Sequence, residues 1–322
     1  MTVDFTVAIR TYNGEKHIPK ILERLRSQIN TDQISWEVVI VDNNSTDNTA
    51  KIIQEHQANW PTSYPLKYYL EPKQGASFTR KRSIQEAQGY LIGFLDDDNL
   101  PESNWVAAAY AFGKSHPKAG AYSGQILPQF ETKPPKNFKD IEVFLAIIDR
   151  GKTAFCYNQH KQGVLPPGAG LVIRKQAWLE SVPDQLLLVG PQGKSLAAKG
   201  EDMEILSYIQ NAGWEIWYSP EICIYHKIPS WRMEREYLLG LVGKSGLTRH
   251  HIRMIRLKPW QRPLAFFLYF ANDCRQVILY FIKYFNVLNQ DTVAACQMIL
   301  FVSILISPFY IWKIHWSKKL SN

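Results

Sequence analysis

The apolar positions of the first hundred residues switch between two rhythms. FTVAI (5–9), WEVVIVD (36–42), LKYYL (66–70) and YLIGFL (90–95) are short runs rich in β-branched and aromatic residues. They predict strands, and the unbroken second run predicts burial on both faces. Ile18, Ile21, Leu22 and Leu25 recur at three- and four-residue spacing and predict a helix between the first two. NNSTDNT is a cluster of capping residues that opens a helix through Ile52 and Ile53, and a basic helix follows Gly75. The βαβαβαβ order predicts an α/β fold built on a Rossmann-like, mostly parallel sheet with helices on both faces. Such sheets bind ligands beyond the carboxyl ends of their strands.

Three of these strands end in polar clusters: Arg10-Thr11-Tyr12-Asn13, Asp42-Asn43-Asn44 and Asp96-Asp97-Asp98. All three are expected to converge on one crevice. No G-x-G-x-x-G follows the first strand and no Walker A sequence occurs, which disfavours dinucleotide and P-loop chemistry.

The second half is less regular. KPPKNF (133–138) predicts a loop, and LPPGAGLVIRKQAW (165–178) a turn leading into a strand and a helix. LAAKGEDMEILSYIQNAG (196–213) predicts a helix starting near Glu201-Asp202 and stopping at Gly213. WEIWYSP and EICIYHK predict two short strands separated by Pro220. Toward the C-terminus the character changes: 249–262 is densely basic, 263–290 aromatic and apolar, and Thr292 to Trp312 carries no charge. About 20 apolar residues suffice to span a bilayer. Gln297 and Pro308 make this an imperfect span, so an in-plane or re-entrant helix pair is an equal alternative.

Composition bounds the classes. With 322 residues, 46% hydrophobic and 20% charged, the chain is one large or two ordinary domains and neither disordered nor collagen-like. A mean hydropathy of −0.23 excludes a polytopic transporter. The four cysteines form no CxxC pair, which excludes a zinc knuckle, and the N-terminus lacks a basic leader, so a reducing cytoplasmic compartment is expected. Lys and Arg exceed Asp and Glu by 37 to 29, a net +8 that suits polyanions, anionic lipids or phosphorylated substrates.

Three consecutive carboxylates after a buried strand are costly unless something positive neutralises them. Mn²⁺ or Mg²⁺ is the natural partner, because it takes few protein carboxylates and completes its shell with phosphate oxygens. A solvated acidic loop is the bland alternative, disfavoured by the position at a strand's carboxyl end.

TVAIRTYNG, VVIVDNNSTDNT, GASFTRKRSIQEAQGYLIGFLDDDN and KGEDMEILSYIQNAG, in that order, resemble the family 2 glycosyltransferases of GT-A fold, over roughly residues 4–245. The resemblance implies a GT-A domain over 1–248, with a nucleotide-binding part to about 125 and an acceptor part from 126. It leaves 249–322 as a basic and aromatic helical region for membrane association. It implies that Thr11, Tyr12, Asp42 and Asn43 hold the nucleotide base, and that Arg80 stands near uracil and diphosphate. Asn43, an amide where many members carry Asp, leans toward uracil, whose N3–H needs one acceptor. Arg10 replaces the usual Pro and is either a structural substitution or an extra phosphate contact.

Asp96 and Asp98 then form the DxD pair, one carboxylate on the ribose and Asp98 on the metal, with Asp97 in support. His226 is a metal ligand in this reading, or else a satisfied structural histidine. Asp202 of the ED motif becomes the catalytic base, which must lie within hydrogen-bond reach of the acceptor hydroxyl. Gly168-Ala169-Gly170 resembles the acceptor-side loop; Trp231 and Arg232 lie in a stretch that often closes over the site. The downstream Arg common in the ED helix is Tyr208 here.

The expected activity is inverting, metal-dependent transfer of a sugar from a nucleotide-diphosphate donor, a UDP-sugar, to a glycan or lipid-linked acceptor in polysaccharide biosynthesis. The site is the cytoplasmic face of the membrane, and the likeness extends to bacterial exopolysaccharide enzymes of the hormogonium-polysaccharide type. A sugar nucleotidyltransferase would share the sheet, but the ED pair would be idle. A non-catalytic protein binding nucleic acid or anionic membranes would leave the triple Asp unexplained. Aromatics flanking apolar runs beside basic residues favour an anionic membrane surface over nucleic acid as partner.

Overall fold

A computed structural model describes residues 3–159, 165–191 and 199–320. Residues 196–198, where the sequence places the approach to the ED helix, lie outside the described residues. The first half alternates as the pattern predicts: β1 (Phe5–Thr11), α1 (Ile18–Arg26), β2 (Trp36–Asp42), α2 (Thr49–Ala58), β3 (Leu66–Leu70), α3 (Ala76–Glu86) and β4 (Leu91–Asp96). Ile18, Ile21, Leu22 and Leu25 form the fully buried face of α1, and every residue of β2 is buried. Truncating one such leucine to alanine costs ~2–5 kcal/mol.

The remaining elements are β5 (Asn99–Pro101), α4 (Trp105–Ser115), β6 (Ala119–Phe130), β7 (Phe155–Cys156), β8 (Val172–Arg174), α5 (Lys175–Ser181), α6 (Glu201–Asn211), β9 (Glu215–Ile228), α7 (Arg235–Gly246), α8 (Arg249–Ile255), α9 (Arg262–Tyr284) and α10 (Thr292–Leu320). The sheet order is β3-β2-β1-β4-β8-β6-β9-β5, with β7 beside β9. β3, β2, β1 and β4 are parallel; β8 runs antiparallel to β4 and β6, and β6 is parallel to β9.

Register decides where the strand ends meet. Thr11 pairs with Asp42 across β1–β2, and Arg10 with Asp96 across β1–β4, so three polar termini stand in one row. β5 pairs antiparallel with β9, placing Asn99 opposite His226 and carrying that histidine to the same edge.

One expectation needs correction. The strands on either side of Pro220 are one strand, β9, because β6 supplies a partner along its length. Proline cannot donate to a ladder, and Pro220 falls where the register jumps between Ser123 and Gln125. The 12-residue β6 itself went unpredicted; its apolar positions are interrupted by Gly120, Ser123 and Gly124.

The C-terminal helices are not a detached tail. Val293 and Cys296 of α10 share a buried cluster with Leu238, Leu241 and Val242 of α7 and with Phe138, Ile141 and Leu145. At the α7–α10 crossing, a Cβ on Gly246 would lie 2.7 Å from Ser303 Cβ and 3.0 Å from the Leu300 carbonyl oxygen, so only glycine permits this approach. Arg235 donates to the Leu288 carbonyl at 2.6 Å, and Tyr280 of α9 donates to Gln297 Oε1 at 2.7 Å.

Candidate active site

A cavity of about 640 Å³ lies beyond the carboxyl ends of β1, β2 and β4. Arg10, Thr11, Tyr12, Asn43 and Asp96 to Asp98 line it from the parallel strands, and His226, Trp231 and Arg232 from the end of β9 and the turn after it. Three carboxylates therefore share one space with Arg10, Arg232 and Lys199.

Each aspartate of the triplet has its own partner. Asp96 receives a two-pronged contact from Arg10, with Arg10 Nη2 donating to Oδ2 at 3.0 Å. Asp97 Oδ2 accepts from Thr11 Oγ1 at 2.7 Å. Asp98 Oδ2 accepts from Arg232 Nη2 at 3.0 Å and stands 3.4 Å from His226 Nε2. Burial raises the Asp97 carboxyl, and repulsion from Asp98 and Asp96 adds to it, to about 7. Burial acts the same way on Asp98, but His226, Arg232 and His17 overcome it and hold that carboxyl far below the usual range. Repulsion between adjacent carboxylates is thus relieved by making the middle one the easiest to protonate.

Asp98 and His226 converge on a seat that a guanidinium now fills, since Arg232 Nη1 is also 3.0 Å from His226 Nε2. A cation already stands there, so this seat suits a divalent ion in charge and in carboxylate and imidazole donors. Among the described residues no three His, Cys, Asp or Glu side chains form a closed cage. Further ligands would have to come from water or phosphate oxygens.

The ED pair opens α6 behind the loop Gly168–Gly170. Asp202 is 20% exposed at its side chain; Oδ1 lies 2.6 Å from Arg80 Nη2, and Oδ2 accepts the Gly168 N–H at 2.8 Å. Glu201 is buried, 3.7 Å from Arg10 Nη1, and burial together with Asp202 raises its carboxyl. Arg10 therefore joins the DxD turn to the start of α6. A Cβ on Gly168 would lie 1.8 Å from Arg80 Nη2 and 2.5 Å from both Asp202 oxygens, so a bare backbone is required there.

Two expected base-binding contacts change. Asn43 lines the cavity, but its Oδ1 accepts from Gly75 N–H at 2.8 Å while Nδ2 donates to the Glu71 and Lys73 carbonyls. The amide thus anchors the turn before α3: both its N–H groups are committed, and Oδ1, the acceptor that uracil N3–H would need, already accepts from Gly75. Asp42 is not in the wall: Oδ1 accepts from Ser45 N and Oγ, and Oδ2 from the Tyr68 hydroxyl. Arg80 is 1% exposed and its guanidinium packs over Phe94 as well as against Asp202, so it does not border the cavity. A buried arginine beside a half-buried carboxylate is held there by charge, which a linear pattern does not reveal.

Residues 6–179, more than half of the chain, match the family model described as Glycosyl transferase family 2. The chain belongs to that family. Within family 2, this glycosyltransferase is 26% identical over 133 residues to the putative teichuronic acid biosynthesis glycosyltransferase TuaG of Bacillus subtilis, covering 41% of this chain and 51% of TuaG. The matched stretches span about half or less of the curated relatives' own length. Among solved structures it resembles the mannosyltransferase PcManGT of Pyrobaculum calidifontis, in complex with GDP-Man and Mn²⁺. The TM-score is 0.59 at 16% identity, over 95% of this chain and 87% of that one. Staphylococcus aureus TarS 1–349 in complex with UDP-GlcNAc matches at TM-score 0.52 and 17% identity, over 82% and 73%. Both likenesses show the GT-A fold.

Lys199, Tyr237 and the segment Phe144–Ala146 also line this glycosyltransferase's cavity, and sequence reasoning missed them. Lys199 left a trace, standing two residues before the ED pair; burial, with Arg232 and Arg10 nearby, lowers its pKa. Tyr237 and Phe144–Ala146 carry no chemical signature and arrive only through the packing of α7.

Proposed function

We propose that this enzyme is an inverting, divalent-metal-dependent glycosyltransferase. Its donor would be a nucleotide-diphosphate sugar, UDP-linked by likeness to the TarS complex, and its acceptor a glycan or lipid-linked hydroxyl in polysaccharide biosynthesis. The observation that carries this is the shared edge of the cavity. The Asp96–Asp98 turn lines it beside Arg10, Lys199 and Arg232, and Ala169 lines it from the loop whose Gly168 N–H holds the Asp202 carboxylate, itself set just behind the wall.

In this reading Asp98 and His226 would hold the cation, and the chemistry it would supply is neutralisation of charge developing on the leaving diphosphate. Arg10 and Lys199 face the same phosphates. Arg232, once moved from Asp98, is free to donate to phosphate oxygens as a fork. Asp202 accepts the proton of the acceptor hydroxyl as that oxygen attacks the anomeric carbon from the face opposite the diphosphate. Arg80 and the Gly168 N–H keep the Asp202 carboxylate aimed.

The same proposal places the protein on an anionic membrane at the cytoplasmic face. Thr292–Trp316 is long and apolar enough to cross a bilayer, with a mean hydropathy of 2.0. Its first turns are nonetheless committed to α7, which favours a helix pair lying in the interface. α9 is amphipathic inside out: Leu264, Phe267, Leu268, Ile278 and Ile282 are exposed, while Asp273 faces inward and is buried. Arg253 pairs with Asp273 at 2.5 and 3.0 Å.

The test is UDP-sugar hydrolysis and transfer with and without Mn²⁺. Asp202→Asn is expected to lower transfer ~10²–10⁴-fold while leaving UDP binding within a few-fold. Near-normal turnover in that variant rejects the assignment, and metal-independent transfer rejects the metal role. A sugar nucleotidyltransferase would instead form a nucleotide sugar from a nucleoside triphosphate and a sugar phosphate.

A further inference from the structure

A second cavity, of about 510 Å³, lies away from the candidate active site where α6, α8, α9 and α10 meet. Among the described residues none lines both cavities. Its polar wall is His250, His251, Arg262 and His315, with Tyr208 of α6, and Ile255, Phe266 and Ile311 supply apolar wall. Among the described residues the one acid paired with these groups is Glu204, which takes His251 Nε2 at 2.9 Å while also accepting the Leu187 and Leu188 N–H groups. His315 Nδ1 is 3.0 Å from the Ile311 carbonyl, which leaves its Nε2 for another partner.

The surroundings are strongly positive. Residues 249–262 contain Arg249, Arg253, Arg256, Lys258 and Arg262 and no acid; among the described residues only Arg253 of these forms an ion pair, with Asp273. Burial lowers the pKa of His250, and the nearby Arg253 and His251 lower it further, against Asp273. Neighbouring guanidinium groups likewise lower Arg249, after burial. Such a cluster is relieved by an anion. Beside it, Trp260, Trp312 and Trp316 are exposed by 76%, 68% and 61%, and Leu264 and Phe267 continue the apolar surface along α9. Exposed tryptophans next to a basic rim mark the depth of lipid headgroups.

We propose that this second cavity binds the headgroup phosphate of an anionic membrane lipid, whose acyl chains continue onto the exposed apolar face of α9. Arg262 donates to the phosphate oxygens, with His315 lining the same wall, and the tryptophans flank the glycerol level. The site would seat the enzyme in one orientation, since the ED helix α6 carries Asp202 at its start and Tyr208, in the cavity wall, two turns later. The proposal rests on the membrane reading above and adds a defined headgroup site to it.

The test is flotation of the full chain with vesicles of phosphatidylcholine alone or mixed with phosphatidylglycerol. Two double variants are compared: R262Q/H315Q, at exposed cavity-lining positions, and R256Q/K258Q, in the same basic segment but outside the wall. The second removes two formal charges and the first only one with His neutral. Diffuse attraction therefore predicts the larger loss for R256Q/K258Q, at about 1 kcal/mol, or some fivefold, per charge. The headgroup site predicts the reverse: at least a tenfold loss for R262Q/H315Q and a smaller one for R256Q/K258Q. An equal or larger loss for R256Q/K258Q overturns the site while sparing the membrane reading. Inorganic phosphate that binds wild type but not R262Q/H315Q, without weakening flotation, assigns the cavity to a soluble anion and overturns the lipid. Wild type that floats with neither vesicle overturns the membrane reading and the site together.

Discussion

Arg232 Nη2 donates to Asp98 Oδ2 across 3.0 Å, so the arginine after β9 sits on the carboxylate expected to hold the metal. Arg232 Nε is buried without a partner, which leaves the guanidinium only partly satisfied in this position. A divalent ion at Asp98 and the Arg232 charge compete for one carboxylate. Arg232→Gln should therefore tighten Mn²⁺ binding to the nucleotide-free protein roughly tenfold, ~1.4 kcal/mol. Titration calorimetry without nucleotide reads this directly, and unchanged or weaker binding removes the competition.

The Arg80–Asp202 contact predicts a division between rate and binding. Arg80 reaches the candidate base and not the cavity, so it acts as a positioning residue. Lysine keeps the charge but loses the planar fork and the packing over Phe94. Arg80→Lys is expected to lower kcat more than tenfold, roughly 1.4 kcal/mol, with the donor KM nearly unchanged. A rise in KM at constant kcat would put Arg80 back on the donor.

Gly168→Ala places a methyl group into that same contact, 1.8 Å from Arg80 Nη2. Overpacking of this kind costs ~1–3 kcal/mol. Thermal melting should fall by several degrees, and activity should drop further than melting accounts for, because Asp202 is displaced. A variant with wild-type melting and wild-type rate is the outcome incompatible with this packing.

Asp97 gives a pH dependence with a definite sign. Its folded pKa of about 7 lies above the ordinary carboxyl value. The fold therefore binds the extra proton, and the associated stability is fully present at low pH and lost as pH rises through about 7. Asp97→Asn removes this dependence. In chelator, the melting temperature of the variant minus that of wild type should become more positive between ~pH 5 and ~pH 8. His17, His56 and His250, whose pKa values burial lowers, act in the opposite sense but equally in both proteins. A difference that does not change with pH contradicts the raised Asp97.

The local elements of the nucleotide-binding half were legible because each follows from near neighbours in the chain. The α1 face of Ile18, Ile21, Leu22 and Leu25 is a period, and the buried β2 is an unbroken apolar run. The chemistry of the triple Asp was legible for the same reason, since adjacent carboxylates at a strand end carry their electrostatic problem with them. Its solution was not. Arg10, Thr11 and Arg232 come from β1 and from the turn after β9, and they reach Asp96, Asp97 and Asp98 only through strand register and the return of β9. Asn43 and Arg80 show the converse: residue types suited to a nucleotide are held instead by Gly75 and Asp202. The net +8 was plain in the sequence. That part of it gathers around a cavity beside the inverted amphipathic face of α9 was decided by packing of α6, α8 and α10, because charge composition is a sum along the chain and a binding site is a distribution in space.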